Sequence, residues 1–154
     1  MQHSGRDWID RLGLAPHPEG GWYRETFRSL ALVTTTDGRR RSALTVIHFA
    51  LLAGESSAWH RVAADEAWIH CEGDPLELTI VHRDLSKVER VRLGAGGQPH
   101  HVVQGGAWQA ARSLGDGSLV SCSVAPGFEF ADFELLRDLP DAEAEFRRKY
   151  PRLA

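Results

Sequence analysis

The feature that most constrains this chain is its punctuation. Short β-prone runs recur from residue 43 onward, over 43–52, 66–71, 76–82, 88–93, 101–103, 108–111 and 119–125. Between them stand Gly73-Asp74-Pro75, the glycine-rich 94–97, Gly105-Gly106 and Gly115-Asp116-Gly117. Glycine supplies positive φ and proline and aspartate favour tight turns, so the pattern predicts many short strands closed into a sandwich or barrel. The run 43–52 is apolar on both faces except at His48, which predicts a central, doubly covered strand.

The ends read differently. Trp8, Ile9 and Leu12 fall on one helical face, with Ser4 as the cap and Gly13 as the stop. A second helix is predicted over 142–150, capped by Asp141 and ended by Pro151. Residues 16–21 break regular structure, and 22–30 are extended. There Trp22, Arg24 and Thr26 share one face, and Tyr23, Glu25 and Phe27 the other. Asp37-Gly38 marks a hairpin turn, and Arg39 to Arg41 read as a solvated basic loop.

With 154 residues the chain suits a single domain, 1–154. Hydrophobic residues at 42% and charged residues at 25% exclude disorder as its main state. A net charge of -3 argues against a nucleic-acid partner, which needs a basic surface. Two cysteines, Cys71 and Cys122, exclude a disulfide framework and paired-cysteine zinc knuckles. The first fourteen residues lack a signal-peptide core, and the longest apolar stretch, 46–53, is too short to span a bilayer. The expectation is a cytoplasmic protein with no membrane partner.

The chemistry concentrates in 54–73. Gly54, His60, Glu66 and Gly73 stand at the spacing of the first cupin motif, with Val62 where that motif has a second histidine. Two strands joined by a short turn would bring His60 and Glu66 together from neighbouring strands. The later stretch Gln104 to Gln109 resembles the second cupin motif, with Gln109 in the histidine position. His60, Glu66 and Gln109 are therefore the conditional metal set, for manganese, iron, nickel or zinc. Glutamine is an oxygen-only ligand and weakens that set.

The likeness extends further, through His17-Pro18-Glu19-Gly20-Gly21-Trp22-Tyr23-Arg24-Glu25-Thr26, Trp59 to Val62, Asp65 to Trp68, Trp108 to Ala110, Val124 to Phe130 and Asp132 to Glu134. Over residues 12–140 the chain resembles the cupin 5 family, a former domain of unknown function. The resemblance implies an all-β fold: a double-stranded β-helix, the cupin jelly roll, with a short helix at each end, and usually a homodimer. The segment 21–25 is also similar to a stretch of the deoxysugar-nucleotide epimerases, which share the jelly roll and use no metal. Gly20 stands where those enzymes have arginine.

The leading reading is a pocket in the barrel for a small polar molecule, sugar-like or a carboxylate metabolite. If catalytic, it performs isomerase, epimerase or lyase chemistry. His60 is the candidate general base, Glu66 its orienting or charge-stabilising partner, and Tyr23 the candidate acid. Glu19, Glu25, Trp68, His70 and Gln109 are candidate ligand contacts. Glu66, Trp68 and His70 share a strand face; Cys71 alternates away from it. The alternatives are a divalent-metal-dependent enzyme and a non-catalytic binding protein.

Overall fold

Alternation of side chains along each strand decides the architecture, because two faces of each sheet must be covered. A computed structural model describes residues 5–153, with side chains from Asp7 onward. The expected cap Ser4 lies outside the described residues. Helix α1 (Gly5–Leu12) leads into β1 (Ala15–Pro16) and β2 (Trp22–Arg28). A hairpin of β3 (Leu32–Thr34) and β4 (Arg40–Ser42) precedes β5 (Thr45–Leu52), β6 (His60–Val62), β7 (Asp65–Gly73) and β8 (Leu76–Val81). Then follow β9 (Val88–Leu93), β10 (His100–Val103), β11 (Trp108–Ser113), β12 (Gly117–Ala125), β13 (Phe133–Leu135) and α2 (Pro140–Lys149).

The strands form a six-stranded sheet, β1-β2-β5-β12-β7-β10, and a five-stranded sheet, β13-β6-β11-β8-β9. Every pairing is antiparallel. The two sheets face each other as a double-stranded β-helix, so the protein is all-β with a short helix near each end. The doubly covered strand predicted at 43–52 is β5, which lies between β2 and β12. Its inner face packs Phe49 and Leu51 into a cluster with Trp68, Leu76, Leu78, Leu93 and Val120. Its outer face puts Ala50 beneath α1, against Trp8, Leu14 and Leu119. Helix α2 covers the outside of the other sheet, where Phe146 is fully buried among Val81, Trp108 and Leu136.

Three sequence expectations need correction, and one strand is additional to those expected. Register slips between Glu25 and Phe27, so the inward face of β2 runs Tyr23, Glu25, Arg28. Phe27 is paired with Val46 on the outer side and is exposed. A bulge of this kind adds one residue and reverses the facing of all that follow. Helix α2 starts at Pro140, and Asp141 makes no capping bond; proline at the first helical position already lacks the amide a cap would satisfy. Arg40 to Ser42 form β4 rather than a loop. Arg39 and Arg41 both pair with the carboxylate of Asp132, which fastens the hairpin to the chain after β12. Finally, the segment 133–135 is a strand, too short and too flanked by polar residues to carry a visible period.

The turn before β2 is the tightest packing point near the cavity described below. Gly21 has φ +76, and a Cβ there would lie 2.8 Å from the Ala50 carbonyl oxygen and 2.9 Å from both Leu51 and Phe49 side-chain carbons. Gly38 also has positive φ, +86, but faces open space. Gly38→Ala should cost about 1 kcal/mol of unfolding free energy, the left-handed penalty alone. Gly21→Ala should cost at least about 3 kcal/mol because overpacking adds to it. Equal losses in urea titrations would contradict this account of the turn.

Candidate functional site

At the end of the sandwich away from the Leu76–Leu78 cluster, the inner faces part around a cavity of about 200 Å³. His60 and Val62 of β6 form one wall, with Phe133 of β13 paired beside Val62. Glu66 and Trp68 of β7 form the facing wall with Cys122 and Val124 of β12. Thr45, Ile47 and Phe49 of β5 and the inward side chains of β2 complete it. The spacing from His60 to Glu66 thus works across the sandwich. Residues 63–64 carry the chain from one sheet to the other, so the two side chains meet from opposite sheets rather than from paired strands.

Each polar group at the cavity floor has a defined partner. Glu19 sits in a turn closed by Gly20 N–H to the His17 carbonyl (3.0 Å) and His17 N–H to the Gly21 carbonyl (2.9 Å). Its own amide donates to His17 Nδ1 at 3.1 Å, and its carbonyl accepts from the Ala58 amide at 2.6 Å. Pinned this way, the Glu19 carboxylate reaches His60 Nε2 at 2.8 Å. The other ring nitrogen, Nδ1, lies 2.7 Å from the Ala58 carbonyl oxygen. That oxygen can only accept, so Nδ1 carries a proton. The short contact at Nε2 then needs a second proton, shared with Glu19. Burial alone would lower the His60 pKa, but the Glu19 charge and hydrogen bond, the Glu66 charge and the Ala58 carbonyl together raise it.

Glu66 is held by a two-step relay. Trp68 Nε1, a donor only, gives its hydrogen to Gln109 Oε1 at 2.8 Å. This fixes the amide so that Gln109 Nε2 donates to Glu66 Oε1 at 2.7 Å. Among the described residues no donor reaches the second Glu66 oxygen, and Glu66 lines the cavity. Burial pushes the Glu66 carboxyl up to about 7. The His60 charge pulls it down, the Glu19 charge adds to the rise, and the Gln109 hydrogen bond opposes it.

Toward the mouth, Arg28 is clamped by Glu25 at 2.7 Å, Glu129 at 3.0 Å and the Phe128 carbonyl at 2.9 Å. Phe128, Phe130 and Phe133 pack edge to face with ring centroids 5.0 to 6.1 Å apart. His17 meets Tyr23 edge-on at 4.5 Å, and burial lowers its pKa.

The structure therefore brings together Glu19, Tyr23, Glu25, His60, Glu66 and Trp68 around one cavity. Gln109 stands behind Glu66 and is not among the lining residues. His70 does share the inward face of β7 but lies beyond Trp68, outside the lining. Its Nε2 is 3.0 Å from the Asp74 carbonyl oxygen, and its ring fills the space beside Gly94. It ties the Gly73 turn to the Gly94 loop. His48, paired opposite Arg24 and Ser121, stands on the outer face of β5. His17, Arg28, Phe130 and Phe133 line the cavity without having been singled out as site residues. The signal for His17, Phe130 and Phe133 lay in the motif stretches that contain them; for Arg28 the bulge removed it. Cys122 also lines the cavity, but burial, with the Glu66 and Glu19 charges, pushes its thiol well up, which keeps it un-ionised and poorly nucleophilic.

The conditional metal set does not fit this arrangement. Gln109 has its only ligating oxygen on Trp68, and both His60 nitrogens are committed to Ala58 and Glu19. Among the described residues, no group of three His, Cys, Asp or Glu side chains is arranged to hold a metal ion.

A jelly roll with a buried histidine and carboxylate inside the barrel defines a cupin-type protein. A model of the family Cupin_5, described as cupin superfamily (DUF985), matches residues 6–136, and the chain belongs to that family. It is similar to a Leishmania major protein described as hypothetical, with 34% identity, TM-score 0.83, and coverage of 95% of this chain and 98% of that one. A Shewanella oneidensis protein shows 33% identity and TM-score 0.79, with 93% and 94% covered. Bacillus subtilis oxalate decarboxylase, at 17% identity and TM-score 0.59 over 90% of this chain and 33% of its own, shares the fold alone. No curated protein sequence matches the chain. Among the described residues no helix is long and apolar enough to cross a membrane.

The protonation of the site has a consequence for stability. Glu66 and His60 both bind protons more tightly in the folded chain than in the unfolded one. Their stabilising contribution is complete below the unfolded pKa values and is lost as pH rises through the folded ones, about 7 for Glu66. The Glu66 part amounts to at most about 3 kcal/mol. Relative to Glu66→Gln, the unfolding free energy of the natural chain should fall between about pH 4.5 and pH 7.5 and run parallel above that. Identical pH profiles of the two proteins would contradict the desolvated-carboxyl assignment.

Proposed function

We propose that this cupin binds a small polar molecule in its barrel and moves a proton to and from it through Glu66, without a metal ion. The observation that supports this reading is the Glu66 carboxyl itself. It is buried, one oxygen is fixed by Gln109, the other opens into the cavity, and its pKa is raised to about 7. A general acid–base group works best when its pKa lies near the working pH.

This exchanges the roles assigned to the two residues on sequence grounds. His60 has no free lone pair while Glu19 and Ala58 hold its nitrogens, so it does not act as the base. It serves as the counter-charge of Glu19, and its charge pulls the Glu66 pKa down from where burial alone would put it. On a ligand whose C–H is acidified by a neighbouring carbonyl, ionised Glu66 takes the proton and the electron pair passes to the carbonyl oxygen. Delivery of a proton to the opposite face of that carbon by Tyr23, while Glu66 keeps the one it took and both groups re-equilibrate with solvent, is epimerisation. Where that carbon bears a hydroxyl, return of the Glu66 proton to the former carbonyl carbon, with the hydroxyl proton passing to the former carbonyl oxygen, is isomerisation. Loss of a leaving group from the neighbouring carbon, with the electron pair, is a lyase reaction. Tyr23, on the inward face of β2, is placed to supply a hydrogen bond to the ligand.

The experiment is proton exchange. Compounds that raise the melting temperature are incubated with the protein in D₂O and examined for deuterium at carbon. Exchange into at least one binder is expected, with a loss of about 10²-fold or more in Glu66→Gln. Exchange equal in the variant would refute the role of Glu66. Binding without exchange would identify a non-catalytic binding protein instead. We further propose the homodimer that the family resemblance implies, and the molar mass in solution checks it.

A further inference from the structure

We infer that the natural ligand of this cavity is a small organic cation, an ammonium compound with an apolar body, held between aromatic rings and the floor and rim carboxylates. The inference names the substrate class of the site just proposed and rests on that site.

Charge carries the first part of the argument. The lining contains Glu19, Glu25, Glu66 and Glu129, against Arg28 and His60 as the only cations besides a His17 kept neutral by burial. The Glu19–His60 pair is net neutral wherever its shared proton sits. Arg28 is held by two carboxylates, Glu25 and Glu129. With Glu66 protonated the cavity is already one charge negative, and with Glu66 ionised it is two. No cation in the lining lacks a carboxylate partner, so nothing there receives an anionic ligand. The carboxylate metabolite entertained on sequence grounds is the least suited of the ligand classes.

Shape and surface carry the second part. Tyr23, Phe49, Trp68, Phe128, Phe130 and Phe133 line the same cavity. Aromatic faces are electron-rich and attract cations, most strongly where water is excluded. A polyol of similar size would need several hydrogen-bond partners around its rim. Here the polar groups gather at the floor and at the Arg28 clamp, and the walls between them are apolar. A volume of about 200 Å³ fits a molecule of the size of a six-membered ring with one polar substituent.

Glu66 couples this binding to pH. The groups facing it are His60 from β6, Gln109 from β11, Cys122 from β12 and Glu19 from the preceding turn. None of them supplies an unpaired positive charge. An ammonium group entering beside the open Glu66 oxygen favours the ionised carboxylate and drives its proton into solution.

The test uses three ligands of one shape: cyclohexylammonium, cyclohexanol and cyclohexanecarboxylate, titrated calorimetrically into the full chain at about pH 8. The ammonium compound should bind at least about tenfold more tightly than the alcohol, and the carboxylate should show no binding. Between about pH 8 and pH 6 the ammonium affinity should fall about tenfold while that of the alcohol stays constant. Glu66→Gln should abolish this pH dependence. Phe130→Leu, at a half-exposed ring whose loss leaves the core intact, should weaken the ammonium alone by about threefold. Equal or tighter binding of the alcohol or the carboxylate would overturn the inference, as would absence of ammonium binding at millimolar concentration. Proton exchange is scored separately. Ammonium preference with no exchange keeps this inference and overturns the acid–base reading; exchange into neutral ligands that bind more tightly does the reverse.

Discussion

The site depends on one constraint: a carboxyl group has been taken out of water and given a hydrogen bond on only one of its two oxygens. An ionised carboxylate buried without a cation or several donors is unfavourable by several kcal/mol, so such a group shifts its pKa instead. Glu66 does so because the rest of the cavity is arranged to leave it unsatisfied. His60, the one positive charge nearby, is already engaged by Glu19. Gln109 gives a single hydrogen bond, and it faces the right way only because Trp68 occupies its carbonyl.

The fold supplies this arrangement by bringing three distant stretches to one place. Glu19 lies in the turn before β2, His60 and Glu66 flank the crossing between sheets, and Gln109 lies on β11 beside His60 in register. The strap that ends in β13 closes the cavity with phenylalanines, and Asp132 fastens that strap to Arg39 and Arg41. A jelly roll can host unrelated activities, so the chemistry has to be read from these side chains and not from the barrel.

Much of this was legible in the sequence. Turn residues located β5 and β7 to β12, because glycine, proline and aspartate act locally. The Gly54–His60–Glu66–Gly73 spacing gave both central side chains, since a short crossing fixes their separation. What was not legible is what distance in sequence hides. Nothing local to His60 announces that its partner is Glu19, and the division of labour between His60 and Glu66 follows from that partner. The slip between Glu25 and Phe27 carries no proline or glycine to mark it, yet it replaces a phenylalanine by Arg28 in the lining. Glutamine at 109 looked like a weakened metal ligand; only the Trp68 contact shows that its oxygen is spent elsewhere.

The most direct measurement is the titration of Glu66 itself, followed by carbon NMR of the chain labelled at glutamate side-chain carboxyls and assigned by comparison with Glu66→Gln. The account predicts one glutamate resonance that titrates near neutrality, about pH 7, and disappears in the variant. A Glu66 resonance that titrates in the ordinary carboxyl range near 4.5 would contradict it. The carboxyl would then be an ion-paired structural group, and the site would have no acid or base poised for neutral pH.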